Sequence, residues 1–87
     1  MTMQADLLSP PVNYAVVQLP ERNYPGVVVQ GDTLRSLQKQ VELMERLLDT
    51  GQLEDLAGEI EDLKEQLFGA LTYFERICSE RGITLPY

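Results

Sequence analysis

Asn23-Tyr24-Pro25-Gly26-Val27-Val28-Val29-Gln30-Gly31-Asp32-Thr33-Leu34 divides this 87-residue chain into an extended half and a helical half. Val27-Val28-Val29 is an apolar, β-branched run, suited to a pleated and half-buried surface. Gly31 breaks that run, because glycine reaches backbone conformations other residues avoid. Asp32 or Thr33 then offers an oxygen to the free amides of a helix start, where negative charge is also favoured.

Upstream of this joint, Tyr14 to Leu19 reads as a strand, and Pro20 to Gly26 as a connection with proline near both ends. Strands at about 14–19 and 27–30 are expected to pair antiparallel as a hairpin. A hairpin alone is marginal in water, so it must lie on something. Residues 1–13 read as a flexible N-terminal arm. Ser9-Pro10-Pro11 lacks two backbone donors and favours an extended linker, with Leu7 and Leu8 available to dock.

Downstream, Leu34, Leu37, Val41, Met44 and Leu48 are spaced alternately three and four apart, the seam spacing of packed helices, and Leu43 and Leu47 widen the stripe. This predicts a helix over about 33–49. Thr50-Gly51 is a stop, with Gly51 as the left-handed residue after the helix. Leu53, Leu56, Ile60, Leu63, Leu67, Ala70, Phe74 and Ile77 continue the alternation and predict a second helix over about 52–81, ended by Arg81-Gly82. Gly58 and Gly69 weaken it, and Gly69 could mark a bend or a close backbone approach.

The short loop makes the two helices antiparallel neighbours. At 1.5 Å per residue the first is roughly 25 Å long and the second roughly 45 Å. Counted back from the loop, Leu34 lies near Leu67, so the second helix overhangs, leaving Leu71, Phe74, Ile77 and Cys78 uncovered. The hairpin emerges at that end and is expected to bury the overhang. The tail Ile83-Thr84-Leu85-Pro86-Tyr87 is expected to pack beside the strands. The fold class is therefore α+β, an N-terminal β-hairpin followed by an antiparallel two-helix hairpin (ββαα), with residues 14–87 as a single domain.

The net charge is −7. Residues 42–65 hold nine acids (Glu42, Glu45, Asp49, Glu54, Asp55, Glu59, Glu61, Asp62, Glu65) against two bases (Arg46, Lys64), which accounts for the whole excess. Such a segment repels phosphate backbones, so nucleic acid is not an expected partner. Cys78 is the only cysteine, so no intrachain disulfide can form. With no basic-then-apolar leader and no apolar run near the roughly 18 residues of a membrane span, the reading is a cytoplasmic chain without a membrane partner.

The chemistry is thin. The sequence has no histidine, the commonest general base and metal ligand. Cys78 lies on the apolar stripe and reads as a buried thiol. Asp49-Thr50-Gly51 spells the aspartic-protease triplet, but that chemistry needs two such aspartates in a β-rich fold, and here the triplet stands between helices. Glu59 and Asp62 are one turn apart without a calcium loop around them. Asp32 beside Gln30 and Thr33 is either a cap or part of a polar site. Arg22, Tyr24 and Pro25 on a stiff loop, with Gln30, are either a protein-binding patch or solvated loop. No cofactor or metal is expected.

The run Tyr24-Pro25-Gly26-Val27-Val28-Val29-Gln30-Gly31-Asp32-Thr33-Leu34 resembles a family of small bacterial proteins of unknown function. Its members carry an aromatic-Pro-Gly-Val-aliphatic-aliphatic-Gln-Gly-Asp-Ser/Thr-Leu core, a basic residue ahead of it, and an ending like Leu85-Pro86-Tyr87. The likeness covers residues 14–34 and the closing residues. Here Asn23 precedes the aromatic residue, and the basic Arg22 stands one place earlier. The resemblance implies no reaction and no ligand.

Two layers of two elements each leave faces open, so a homodimer is expected, through a four-helix bundle or through strand pairing. The expected function is a non-catalytic, acidic protein–protein interaction module. An immunity- or antitoxin-like inhibitor of a basic enzyme fits, as does an accessory subunit, with Glu54, Asp55, Glu59 and Asp62 facing the basic partner. The alternative is a small-ligand-binding protein or an enzyme with a site at a dimer interface near Arg22, Tyr24, Gln30 and Asp32.

Overall fold

The computed structural model describes residues 3–87. In chain order the elements are β1 (Asp6–Leu7), β2 (Val16–Gln18), β3 (Gly26–Val27), α1 (Gly31–Asp49) and α2 (Leu53–Glu80). The α+β arrangement, with the extended half first and two helices after it, is the expected one. Residues group into two compact units, one comprising the chain up to Gln30 with Ala70–Tyr87, the other Gly31–Gly69.

The first unit is built on a three-stranded antiparallel sheet in the order β1-β2-β3. The expected hairpin is its β2–β3 half, with Val16 opposite Val27 and Val17 opposite Gly26. The strands are shorter than the β-branched runs suggest. Tyr14 takes a left-handed φ of 59°, which turns the chain and ends β2 on that side. The amide of Val28 still reaches the carbonyl of Ala15 at 2.8 Å, and beyond it Val29 and Gln30 have no strand to pair with.

The third strand corrects the reading of residues 1–13 as an arm. Met1 and Thr2 lie outside the described residues, but Asp6 and Leu7 pair antiparallel with Gln18 and Val17. The Leu8 amide then donates to Val16 at 2.8 Å. At the next position the backbone ladder gives way to a side chain: the Val16 amide donates to the Ser9 hydroxyl at 2.9 Å, and that hydroxyl donates to the Pro10 carbonyl at 3.0 Å. Arg81 Nε completes the attachment by donating to the Leu8 carbonyl at 2.7 Å.

Val16, Phe74, Ile77 and Cys78 form the core, with Leu8, Tyr73, Ile83 and Leu85 packed against it. Val16 and Cys78 are 0% and 1% exposed. The end of α2 that the sequence leaves uncovered is thus covered by the sheet and by the closing tail. Leu71 is the exception and stays about half exposed.

In the second unit α1 and α2 run antiparallel from a sharp reversal. Gly51 has φ +71°. The Gln52 amide donates to Leu47 at 2.9 Å and the Gly51 amide to Leu48 at 3.2 Å, the paired bonds of a Schellman stop. Thr50 braces the turn, donating its hydroxyl to Arg46 and accepting from Gln52 Nε2, both at 2.8 Å. The Asp49-Thr50-Gly51 triplet is therefore a helix stop. Gly82, with φ +66°, closes α2 the same way: Ile83 donates to Cys78 at 2.8 Å and Gly82 to Ser79 at 3.2 Å.

Candidate functional site

Register within the helical hairpin is set by a polar pair. Gln40 Nε2 donates to both the carbonyl and the carboxylate of Glu59, each at 3.2 Å. The half-buried positions flanking that pair are Leu37, Leu43 and Met44 on α1, and Leu56, Leu63 and Gln66 on α2. Among the described residues of 31–69, Leu47 alone is buried, and a little of its surface stays open. The seam read from the sequence is therefore split. Leu37, Met44, Leu56 and Leu63 turn inward, whereas Leu34, Val41, Leu48, Leu53, Ile60 and Leu67 remain exposed. The physical reason is the width of the apolar arc: Leu43 and Leu47 extend it beyond what one neighbouring helix can cover.

The four acidic candidates come together. Glu54, Asp55, Glu59 and Asp62 line one open cleft of about 410 Å³ together with Leu43, Leu47 and Gly58. Their spacing along α2 places them on adjoining faces, and Leu43 and Leu47 of α1 supply apolar wall. No Cβ at Gly58 would meet another atom within 4 Å, so the cleft is open over that residue.

The candidates near the joint are only partly gathered. Arg22, Tyr24 and Pro25 line a cleft of about 460 Å³ with Glu21, Asn23 and Pro86. Gln18 Nε2 holds this loop by donating to Leu19 at 3.2 Å and Arg22 at 2.7 Å, and Glu21 takes a left-handed φ of 64°. Gln30 and Asp32 do not line it. Asp32 stands in the first turn of α1, where its Oδ1 accepts from the Thr33 amide at 2.9 Å. The helix begins at Gly31, two residues before the expected start, so Asp32 serves it from inside the first turn.

The chain belongs to DUF6959, a family of unknown function. The match runs over residues 1–87, so it extends beyond the joint and the closing residues that carry the resemblance. Compared with curated proteins and with solved structures, the chain has no match.

Burial pushes the Cys78 thiol above its ordinary value, and the charge of Glu75 pushes it further, so the group stays protonated at neutral pH. The Tyr87 phenol is also raised, first by desolvation and then by the hydrogen bond it donates to Glu75 at 3.2 Å. Among the described residues no group of three acids, histidines or cysteines could hold a metal ion, and no helix is long and apolar enough to cross a membrane. The residue that sequence reasoning missed is Ser9. Its only visible signal was a hydroxyl directly before Pro10-Pro11, where the backbone has no donor of its own.

Proposed function

We propose that the chain is a non-catalytic interaction module that presents its carboxylate-rich helical cleft to a basic segment of another protein. The convergence of Glu54, Asp55, Glu59 and Asp62 on one cleft carries the reading. A lysine or arginine entering there lays its aliphatic stem on Leu43 and Leu47, passes over Gly58, and reaches carboxylates with its head. Association of this kind is fast and sensitive to salt. The absence of histidine from the sequence and the buried, protonated state of Cys78 support a binding role over a catalytic one. An inhibitor of a basic enzyme and an accessory subunit in the cytoplasm both use this chemistry.

The test is affinity capture from the native host at low and high salt, with the wild-type chain and with an Asp55→Asn/Asp62→Asn variant. The expected result is one basic protein, retained by the wild type, released by salt and absent from the variant. Recovery of the bait alone would sink the reading. A second reading, a small-ligand site, draws on the braced cleft around Arg22, Tyr24 and Pro25. It predicts that Arg22→Ala, and not the aspartate variant, abolishes binding.

A further inference from the structure

The connection between β2 and β3 brings two opposite charges, an amide and an aromatic ring to one cleft. Glu21, Arg22, Asn23 and Tyr24 line it with Pro25 and Pro86, around about 460 Å³. That volume lies within the roughly 300–1,000 Å³ of small-molecule sites. Pro25 is buried, whereas Glu21, Arg22, Asn23 and Tyr24 are exposed. The side chains of these four residues make no hydrogen bond or ion pair among the described residues.

The backbone that carries them is fixed. Gln18 Nε2 donates to the carbonyls of Leu19 at 3.2 Å and Arg22 at 2.7 Å. Glu21 is held at a left-handed φ of 64°, a strained conformation for a residue with a side chain and one that gathers at binding sites. Pro86 is anchored from both directions along the chain. Ile83 and Leu85 before it pack on the core, and the Tyr87 phenol after it donates to Glu75 at 3.2 Å.

We infer that this cleft binds a small zwitterion, a free α-amino acid with an apolar side chain. Arg22 takes the carboxylate and Glu21 the ammonium group, while the Asn23 amide, both donor and acceptor, serves either. The apolar side chain of the ligand lies on Tyr24 and Pro86.

Charge selects the class. A simple anion would meet Glu21 in the cleft and the chain's net −7 around it, and a simple cation would meet Arg22. A ligand carrying both signs satisfies both side chains. Glu21 and Arg22 are consecutive, with Cα atoms about 3.8 Å apart, and an α-amino acid carries its two charges on a single carbon. The inference rests on the cleft being a small-ligand site. It shares no residue with the carboxylate cleft of the helices, so its failure leaves the proposed function standing, and the reverse also holds.

NMR titration of the ¹⁵N-labelled full chain tests this, with phenylalanine, N-acetylphenylalanine and phenylalaninamide as probes at millimolar concentration. Phenylalanine is expected to give saturable shifts at the amides of Arg22, Asn23 and Tyr24 and none at Gly58. The acetylated probe lacks the ammonium group and the amide probe lacks the carboxylate, so each is expected to bind at least tenfold more weakly. Arg22→Ala and Glu21→Gly are each expected to weaken phenylalanine at least tenfold. Glycine adopts the Glu21 backbone conformation without strain, so that variant keeps the turn, and circular dichroism should be unchanged. A double-mutant comparison assigns each charge. Arg22→Ala should no longer distinguish phenylalanine from its amide, and Glu21→Gly should no longer distinguish it from the acetylated probe. A wild-type chain that binds either derivative as tightly as phenylalanine would leave a small-ligand site but overturn the zwitterion. Absence of shifts with all three probes would overturn both, as would phenylalanine binding that survives Arg22→Ala and Glu21→Gly.

Discussion

Ser9 carries a structural duty out of proportion to its size. Its hydroxyl is the acceptor for the Val16 amide, at the most buried position of the sheet. Ser9→Ala leaves that donor in the core without a partner, which costs about 1–3 kcal/mol. Chemical denaturation should show a loss of that size with an unchanged denaturant slope. Cys78 sets a second expectation at this scale. Its thiol pKa is raised from the ordinary 9.0 by burial and then by Glu75. Above pH 9 the unfolded chain therefore loses a proton that the folded chain keeps. Stability should fall as pH rises from about 9 through the raised value, and a Cys78→Ala chain should lose less over that window. Equal slopes in the two proteins would contradict the assignment.

Among the elements, the helices follow from the sequence and the strands only in part. Leucine spacing identified both rods, and Gly51 and Gly82 marked their ends because only a left-handed residue can make those paired stops. β1 escaped notice for a physical reason. Two residues, Asp6 and Leu7, are too few to show a period, and their pairing depends on Ser9 and Arg81, which act from outside the strand. The glycines give opposite predictions by element. Gly51→Ala has free space around its Cβ but a φ of +71°, so it should destabilise by about 1–2 kcal/mol. Gly69→Ala also has free space, but its φ is not left-handed, so it should stabilise by up to about 1 kcal/mol. Thermal unfolding of the two variants should move in opposite directions. Gly58→Ala should stabilise likewise while obstructing the acidic cleft that Gly58 lines.

Across the whole molecule, burial and charge are divided between the two units. The core of Val16, Phe74, Ile77 and Cys78 belongs to one, and the acid-rich 42–65 segment lies wholly in the other. The charge division was legible, because nine acids in one stretch can be counted. The convergence of Glu54, Asp55, Glu59 and Asp62 was legible as helical spacing, but the apolar wall from Leu43 and Leu47 needed the register set by Gln40 and Glu59. The outward turn of Leu34, Val41 and Leu48 was not legible, since spacing alone does not say which part of a wide arc a single partner covers.

The central claim is that this carboxylate cleft receives a basic partner. Its most direct measurement is an NMR titration of the ¹⁵N-labelled chain with a lysine-rich peptide. The account predicts shifts at the amides of Gly58, Glu59 and Asp62 at low salt, abolished at about 0.5 M salt as screening shortens the reach of charge. Shifts that persist in high salt, or that fall on Arg22 and Tyr24 and leave Gly58 unmoved, would contradict it.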